Sequence, residues 1–341
     1  MRRFAPDVDY GWPKIPEALR DEPVVLVDVD GTVRGEVLPM VRLAQPMVPK
    51  VLRKVMLREP WNLYKLVHFS WNLGKLWTLR TINREHRKRY KHLFSELHHL
   101  AATLLEDMPV GDYRARYRQC LAQMPGLWYE DAVPLLRELT RRAVVVLVTG
   151  SEQAQTEECV HLLSNRGVDT SRIFVQGSLY GCDPVEQKFD GSVQHLNVTL
   201  DGKRDAVRRY TEDPLSRVAA ALGNSRPDRA LFEAVGLGGL RVLVCSRSVL
   251  QRRDAGTFVI RKYERSGFRI CWDMDDYLAM ARLGSQSPAG SDDLPILVTD
   301  RHYRNILDGI RLRSHWDRLL ADSPRGVANC EPTRLVHHQI A

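Results

Sequence analysis

Two carboxylates separated by a single residue, Asp28 and Asp30, close the run Pro23-Val24-Val25-Leu26-Val27-Asp28-Val29-Asp30-Gly31-Thr32. Two further apolar runs end in the same manner. Ala143 to Val148 leads into Thr149-Gly150-Ser151, and Val218 to Leu222 leads into Gly223-Asn224-Ser225-Arg226-Pro227-Asp228. Lys203 stands between these two clusters, at the start of a helical pattern. A continuous apolar run stopped by an Asp-x-Asp-Gly-Thr turn predicts a strand covered on both faces in a parallel sheet. In such sheets ligands sit beyond the carboxyl ends of the strands. Asp28 and Asp30 are therefore expected in such a crevice.

The elements that must position these groups alternate along the chain. A helix is expected over Pro134 to Arg141, another after Ser151 as far as about Asn165, where Gly167 stops it, and another from about Lys203 to Tyr210. A short strand is expected near Ile173 to Val175, then a hairpin through Gly177, Gly181 and Gly191, and a last strand at Arg241 to Cys245. Alternation of this kind argues a doubly wound α/β core with a parallel sheet. Between Gly35 and about Gln123 the pattern changes to amphipathic helices, with Val51, Val55, Leu63, Leu66, Val67, Leu73, Leu76 and Leu79 at three- and four-residue spacings. Two more helices are expected, at about Arg89 to Glu106 and Tyr113 to Leu121. The expected organisation is a core of residues 1–33 and 135–283, a helical cap at 34–134, a Ser/Gly-rich linker at 284–294, and a C-terminal helical extension and tail at 295–341.

The chain is long enough, at 341 residues, to bury a full core without staples. Its six cysteines are scattered with no Cys-x-x-Cys pair, so neither a zinc site nor a disulfide framework is expected, and reduced cytosolic thiols are the reading. No signal-peptide core follows Met1-Arg2-Arg3, and no window approaches a membrane-spanning length of about 18 apolar residues. A cytoplasmic location is expected. The eleven histidines, including His98-His99, show no ligand spacing beside a strand acid.

The order and types of the strand-end residues resemble the haloacid dehalogenase superfamily of phosphoryl-transfer enzymes, whose four motifs lie at the ends of adjacent strands. The resemblance covers about Pro23 to Thr32 and Ala143 to Cys245, and it implies a Rossmann-like core. It implies Asp28 as a nucleophile that forms an aspartyl-phosphate, and Asp30 as the general acid and base. Thr149, Gly150 and Lys203 would hold the phosphoryl oxygens. Mg²⁺ would use the Asp28 carboxylate, the Asp30 backbone carbonyl and the fourth-motif side chains Asn224 and Asp228. A second acid at the Asp30 position favours phosphatases and phosphomutases over dehalogenases within the family. Where the family's fourth motif usually opens with Asp, this chain has Asn224, an amide that can ligate Mg²⁺ without bringing charge. Transfer to an acceptor other than water would share the same first half-reaction.

About 110 residues (Val33 to Arg142) separate the first and second motifs. Their helical pattern resembles the helical-cap subclass that includes phosphoserine-phosphatase-like enzymes. From Pro46 to His92 twelve Lys or Arg stand against two Glu, a net +10 that exceeds the +8 of the whole chain. Trp61, Tyr64, Phe69, Trp71 and Trp77 interleave with these basic residues. A solvated helical surface is the default reading. Contact with a membrane surface or an amphiphilic phosphate is the alternative, and nucleic acid a weaker one. The expected function is Mg²⁺-dependent phosphomonoester hydrolysis. The competing expectation is an attenuated member of the fold that binds or scaffolds through its basic cap.

Overall fold

The computed structural model describes residues 12–34, 87–122, 127–212, 217–236, 239–245, 258–286, 294–303 and 306, with 53, 63–64, 67–68, 70–72 and 74. Among these, eight strands form one sheet: β1 (Pro23–Asp28), β2 (Val144–Glu152), β3 (Ile173–Asp183), β4 (Lys188–His195), β5 (Arg217–Gly223), β6 (Leu240–Val244), β7 (Phe268–Cys271) and β8 (Leu294–Thr299). Their order is β4-β3-β2-β1-β5-β6-β8-β7. Every pairing is parallel except the β3–β4 hairpin. From β1 the chain winds outward through β2 and β3 on one side and through β5 and β6 on the other. The order therefore reverses at β1, the switch point where an open α/β sheet offers a crevice.

The continuous apolar runs follow from burial on both faces. Val25, Val27, Val145, Leu147, Ala220 and Leu222 lie in one apolar cluster. Val24, Leu26, Val144, Val146, Val148 and Ala221 lie in the other. Alternate residues of a strand point to opposite faces, so covering both faces requires an apolar residue at every position. The first cluster is completed by Leu121, Trp128, Leu135 and Leu136. The second is completed by Ala206, Val207 and Tyr210 of the Leu200–Glu212 helix, with Leu231, Phe232 and Tyr263. Trp12 of the lead-in is also buried there, and its indole N–H donates to the Gly177 carbonyl at 3.0 Å.

The expected hairpin is present, and the helices expected at 134–141, from 151 to about 165 and at about 203–210 correspond to Ala132–Thr140, Gln153–His161 and Leu200–Glu212, the second ending about four residues earlier than expected. Gly167 takes φ 74, the left-handed conformation that ends the short turn Ser164–Arg166. In the 34–134 stretch, the helices Arg87–Leu105 and Val110–Ala122 and the helical residues 63–64, 67–68, 70–72 and 74 are described, and most of 35–86 lies outside the described residues. The chain leaves and re-enters the core at adjacent points: Arg34 forms an antiparallel bridge with Trp128, and the Tyr129 N–H donates to the Val33 carbonyl at 3.0 Å.

The expected end of the core at 283 is corrected. The helix Met274–Gln286 is followed by β8, which lies inside the sheet between β6 and β7. The supposed linker is thus the crossover into a strand, with 287–293 outside the described residues. The run Leu294-Pro-Ile-Leu-Val-Thr is apolar and buried like β1, and its Gly/Ser-rich approach hid it. Beyond Tyr303 the expected C-terminal helical extension lies, except for residue 306, outside the described residues. No described helix is long and apolar enough to cross a membrane.

Candidate active site

Register brings the strand-end groups together. Asp28 pairs with Val148 on β2, and Val27 pairs with Leu222 on β5, so Thr149 and Asn224 follow directly on either side of Asp28. Beyond Asp28 the chain turns at once. Gly31 adopts φ 86, its N–H donates to the Arg34 carbonyl at 2.8 Å, and the N–H groups of Val33 and Arg34 donate to the Val29 carbonyl at 3.1 and 3.0 Å. This left-handed glycine folds the chain back so that Asp30 returns to the strand ends. Tyr303, fully buried after β8, locks the same turn by donating its hydroxyl to the Thr32 carbonyl.

Lys203 projects from the Leu200–Glu212 helix and is 3% exposed. Its ammonium donates to Asp28 Oδ1 at 2.5 Å and to Asp228 Oδ1. Thr32 donates its hydroxyl to the other oxygen of Asp28 at 2.9 Å. Burial and the neighbouring Asp228 charge, opposed by Lys203, push the Asp28 carboxyl up to about 7. Burial works against the Lys203 charge, but the two carboxylates beside it hold its pKa above the usual ammonium range.

Asp30 has a different environment, one that sequence reasoning missed. Its carboxylate accepts from Arg34 Nε and Nη2 at 3.1 and 2.6 Å, from Thr149 Oγ1 at 2.9 Å and from Ser151 Oγ at 2.6 Å. Arg34 is fully buried, and it also donates to Ser151 Oγ and Cys159 Sγ, each at 3.0 Å. Burial alone would raise the Asp30 pKa. The Arg34 charge and the hydrogen bonds from Ser151, Arg34 and Thr149 hold it below the ordinary carboxylate range instead. Only Thr149 and Gly150 of the second motif were singled out in sequence. Ser151 follows them directly, and Arg34 lies four residues past Asp30, a spacing that no strand pattern would connect to it.

Asn224 is brought to the site by β5, and its side-chain N–H donates to the Asp30 backbone carbonyl at 2.8 Å. Asp228 is fully buried, and both of its oxygens are engaged. Oδ1 receives Lys203, and Oδ2 receives the N–H groups of Asn224 and Ser225 at 2.9 and 2.7 Å and the Ser225 hydroxyl at 2.8 Å. Asp228 therefore caps the motif-four turn and orients Lys203. Among the described residues no group of three His, Cys, Asp or Glu could hold a metal ion. A different donor set does converge, because the Asn224 amide lies against the Asp30 carbonyl beside Asp28. A half-turn of that amide replaces its NH₂ with an oxygen, and the two orientations are distinguished only by their partners. Asp28, the Asp30 carbonyl and Asn224 thus fit Mg²⁺ as oxygen ligands carrying a single negative charge.

The Arg87–Leu105 helix packs on β4 and the Val110–Ala122 helix on the Gln153–His161 helix. Glu152, at the end of β2, caps the Gln153–His161 helix by accepting from Ala154 N and Gln155 N at 2.9 and 2.8 Å, and it also accepts the Tyr113 hydroxyl at 3.1 Å. Burial outweighs these bonds and pushes its carboxyl up to about 7. Arg118 holds Glu158 through two bonds of 2.8 and 3.0 Å. His98, buried in the Arg87–Leu105 helix, meets the Tyr180 hydroxyl at 2.9 Å. Burial pushes its imidazole down to about 4, while Asp30 lies near enough to pull it the other way.

No protein-family model matches the chain, and no curated protein matches it. Several solved structures do. A phospho-aspartyl intermediate analogue of phosphoserine phosphatase is 15% identical with a TM-score of 0.37, over 72% of this chain and 98% of that one. Cytosolic 5′-nucleotidase IIIB bound to cytidine is 10% identical with a TM-score of 0.47, over 88% of each chain. The HAD domain of a Legionella pneumophila effector protein is 12% identical with a TM-score of 0.32, over 62% of this chain and 78% of that one. With TM-scores below 0.5, these likenesses carry no argument about activity. Among the solved structures that the chain matches are phosphatases and a domain titled a HAD domain.

Proposed function

We propose that the chain is a Mg²⁺-dependent phosphomonoester hydrolase that works through an aspartyl-phosphate on Asp28. The observation that carries this reading is the buried ammonium of Lys203, 2.5 Å from Asp28 Oδ1 and shared with Asp228. A phosphate ester is a dianion and repels an attacking carboxylate, so the reaction needs a fixed cation at the nucleophile. Lys203 supplies one, and Asp228 fixes its position.

Asp28 attacks phosphorus, and the bond to the leaving oxygen breaks as the acyl-phosphate bond forms. Lys203 steadies the phosphoryl oxygens. Thr149 and Ser151 assist once their hydroxyls turn from Asp30, where they now donate. Mg²⁺, when held by Asp28, the Asp30 carbonyl and Asn224, supplies neutralising charge to the phosphoryl group. Asp30, already an anion accepting four hydrogen bonds, is suited to taking a proton from water in the second half-reaction. It is less suited to donating one in the first.

That last point favours a second reading, an attenuated member of the fold that binds phosphate compounds with little turnover. One experiment separates the two: hydrolysis of p-nitrophenyl phosphate with and without Mg²⁺, against Asp28→Asn. The first reading expects Mg²⁺-dependent turnover that the substitution abolishes. A rate equal to that of the variant supports the second. A screen of sugar, amino-acid, nucleotide and lipid phosphates then addresses the substrate. An amphiphilic phosphate is supported by the aromatic and basic composition of the 46–92 segment.

A further inference from the structure

The described residues between 63 and 74 are helical, and their apolar side faces outward. Leu63 is 45% exposed, Tyr64 65%, Val67 61% and Trp71 63%; the one further exposed large hydrophobic among the described residues is Val185, at the hairpin tip. At about 100° per residue these four positions occupy an arc of about 100° on one side of the helix. Ser70 and Gly74 fall within the same exposed sector. Asn72, roughly opposite, is 2% exposed. His68 meets Glu96 of the Arg87–Leu105 helix at 3.2 Å, which ties the segment to the cap. The described positions thus turn leucine, valine, tyrosine and tryptophan to solvent within a segment of net charge +10.

We infer that this helical face docks the protein on an anionic bilayer surface. Tyrosine and tryptophan carry an apolar ring and a polar handle, which suits the headgroup boundary. Leucine and valine beside them add apolar area for the acyl edge, and the lysines and arginines of the 46–92 segment are drawn to acidic headgroups. Two other occupants fit less well. A second copy of the chain would bring one +10 segment against another. Nucleic acid would gain from the cations and rings, but Val67 near the centre of the face and Leu63 at its edge have no π-surface on which a base could stack. The docking surface is independent of the reaction proposed at Asp28.

The test is co-sedimentation of the full chain with vesicles of phosphatidylcholine alone or with phosphatidylserine added, at about 0.1 M and about 1 M salt, where the Debye length falls from ~10 to ~3 Å. Binding to the acidic vesicles is expected, weaker at high salt and weak or absent on the neutral ones. Tyr64→Ser/Trp71→Ser should lower the vesicle partition by about tenfold or more while leaving the helical circular dichroism unchanged. Equal binding to both vesicle types, no binding to either, or full binding by the variant would overturn the inference. So would a dimer in solution that the double substitution dissociates, or displacement of the chain from vesicles by RNA at both salt concentrations.

Discussion

Replacing Arg34 by methionine should unfold the site from beneath, and its cost can be worked from the structure. The guanidinium is fully buried and holds Asp30 Oδ1 through two bonds of 3.1 and 2.6 Å, with Ser151 and Cys159 as its other partners. Methionine fills similar space without charge, leaving Asp30 an anion with two hydroxyl donors. Breaking one side of a buried pair costs about 3–5 kcal/mol. Asp30 keeps 21% of its side-chain surface exposed, which places the cost near the lower end, about 3 kcal/mol. With a urea m-value of about 3 kcal/mol per molar, the unfolding midpoint at neutral pH should fall by about 1 M. The double variant Asp30→Asn/Arg34→Met leaves neither charge stranded and should recover most of the loss. The pH dependence has a definite sign. Asp30 has a lowered folded-state pKa, so its contribution is present above the unfolded value of about 3.9 and is lost as pH falls through the folded one. The gap between wild type and Arg34→Met should therefore narrow on acidification below about pH 4. A midpoint shift under about 0.3 M, or a double variant costing the sum of the single ones, would refute the buried-pair account.

Three further outcomes are expected. Asn224→Asp removes the donor now resting on the Asp30 carbonyl and adds a second anionic ligand, so Mg²⁺ should raise its Tm more than that of wild type; equal Mg²⁺-induced shifts in thermal denaturation would count against the proposed donor set. Glu152 has its carboxyl raised to about 7, so folding stability it contributes below about pH 4.5 is lost as pH rises toward 7, and Glu152→Gln should flatten the fall of the urea midpoint over that window. Tyr303→Phe strands the Thr32 carbonyl in a buried turn and should cost about 1–2 kcal/mol in the same assay, whereas an unchanged midpoint would mean that the bond contributes nothing.

Much of the site was legible because its residues sit at the ends of continuous apolar runs. A strand covered on both faces must be apolar at every position, and the abrupt change to Asp28, Thr149 or Asn224 marks where it emerges. Lys203 was legible from its place between two such runs, although it reaches Asp28 from across 175 residues of chain. Arg34 and Ser151 were not, because their roles arise from the fold-back at Gly31 and from a hydroxyl next to the one already chosen. Asp228 was given as a metal ligand by the family resemblance; its engagement by three donors of its own turn and by Lys203 follows from local backbone geometry that the motif does not report. β8 was lost for a simpler reason. Its apolar run is as clear as that of β1, but the glycine and serine residues before it suggested a linker and not the end of a helical crossover from β7.

The central claim is that Asp28 becomes covalently phosphorylated. The direct measurement is rapid acid quench of the protein turning over p-nitrophenyl phosphate with Mg²⁺, followed by peptide mass spectrometry. The account predicts one phosphoryl group on the peptide containing Asp28, lost at alkaline pH as an acyl phosphate is, and absent from Asp28→Asn. Turnover that is abolished by Asp28→Asn, yet leaves no phosphoryl group on that peptide at any quench time, would contradict it.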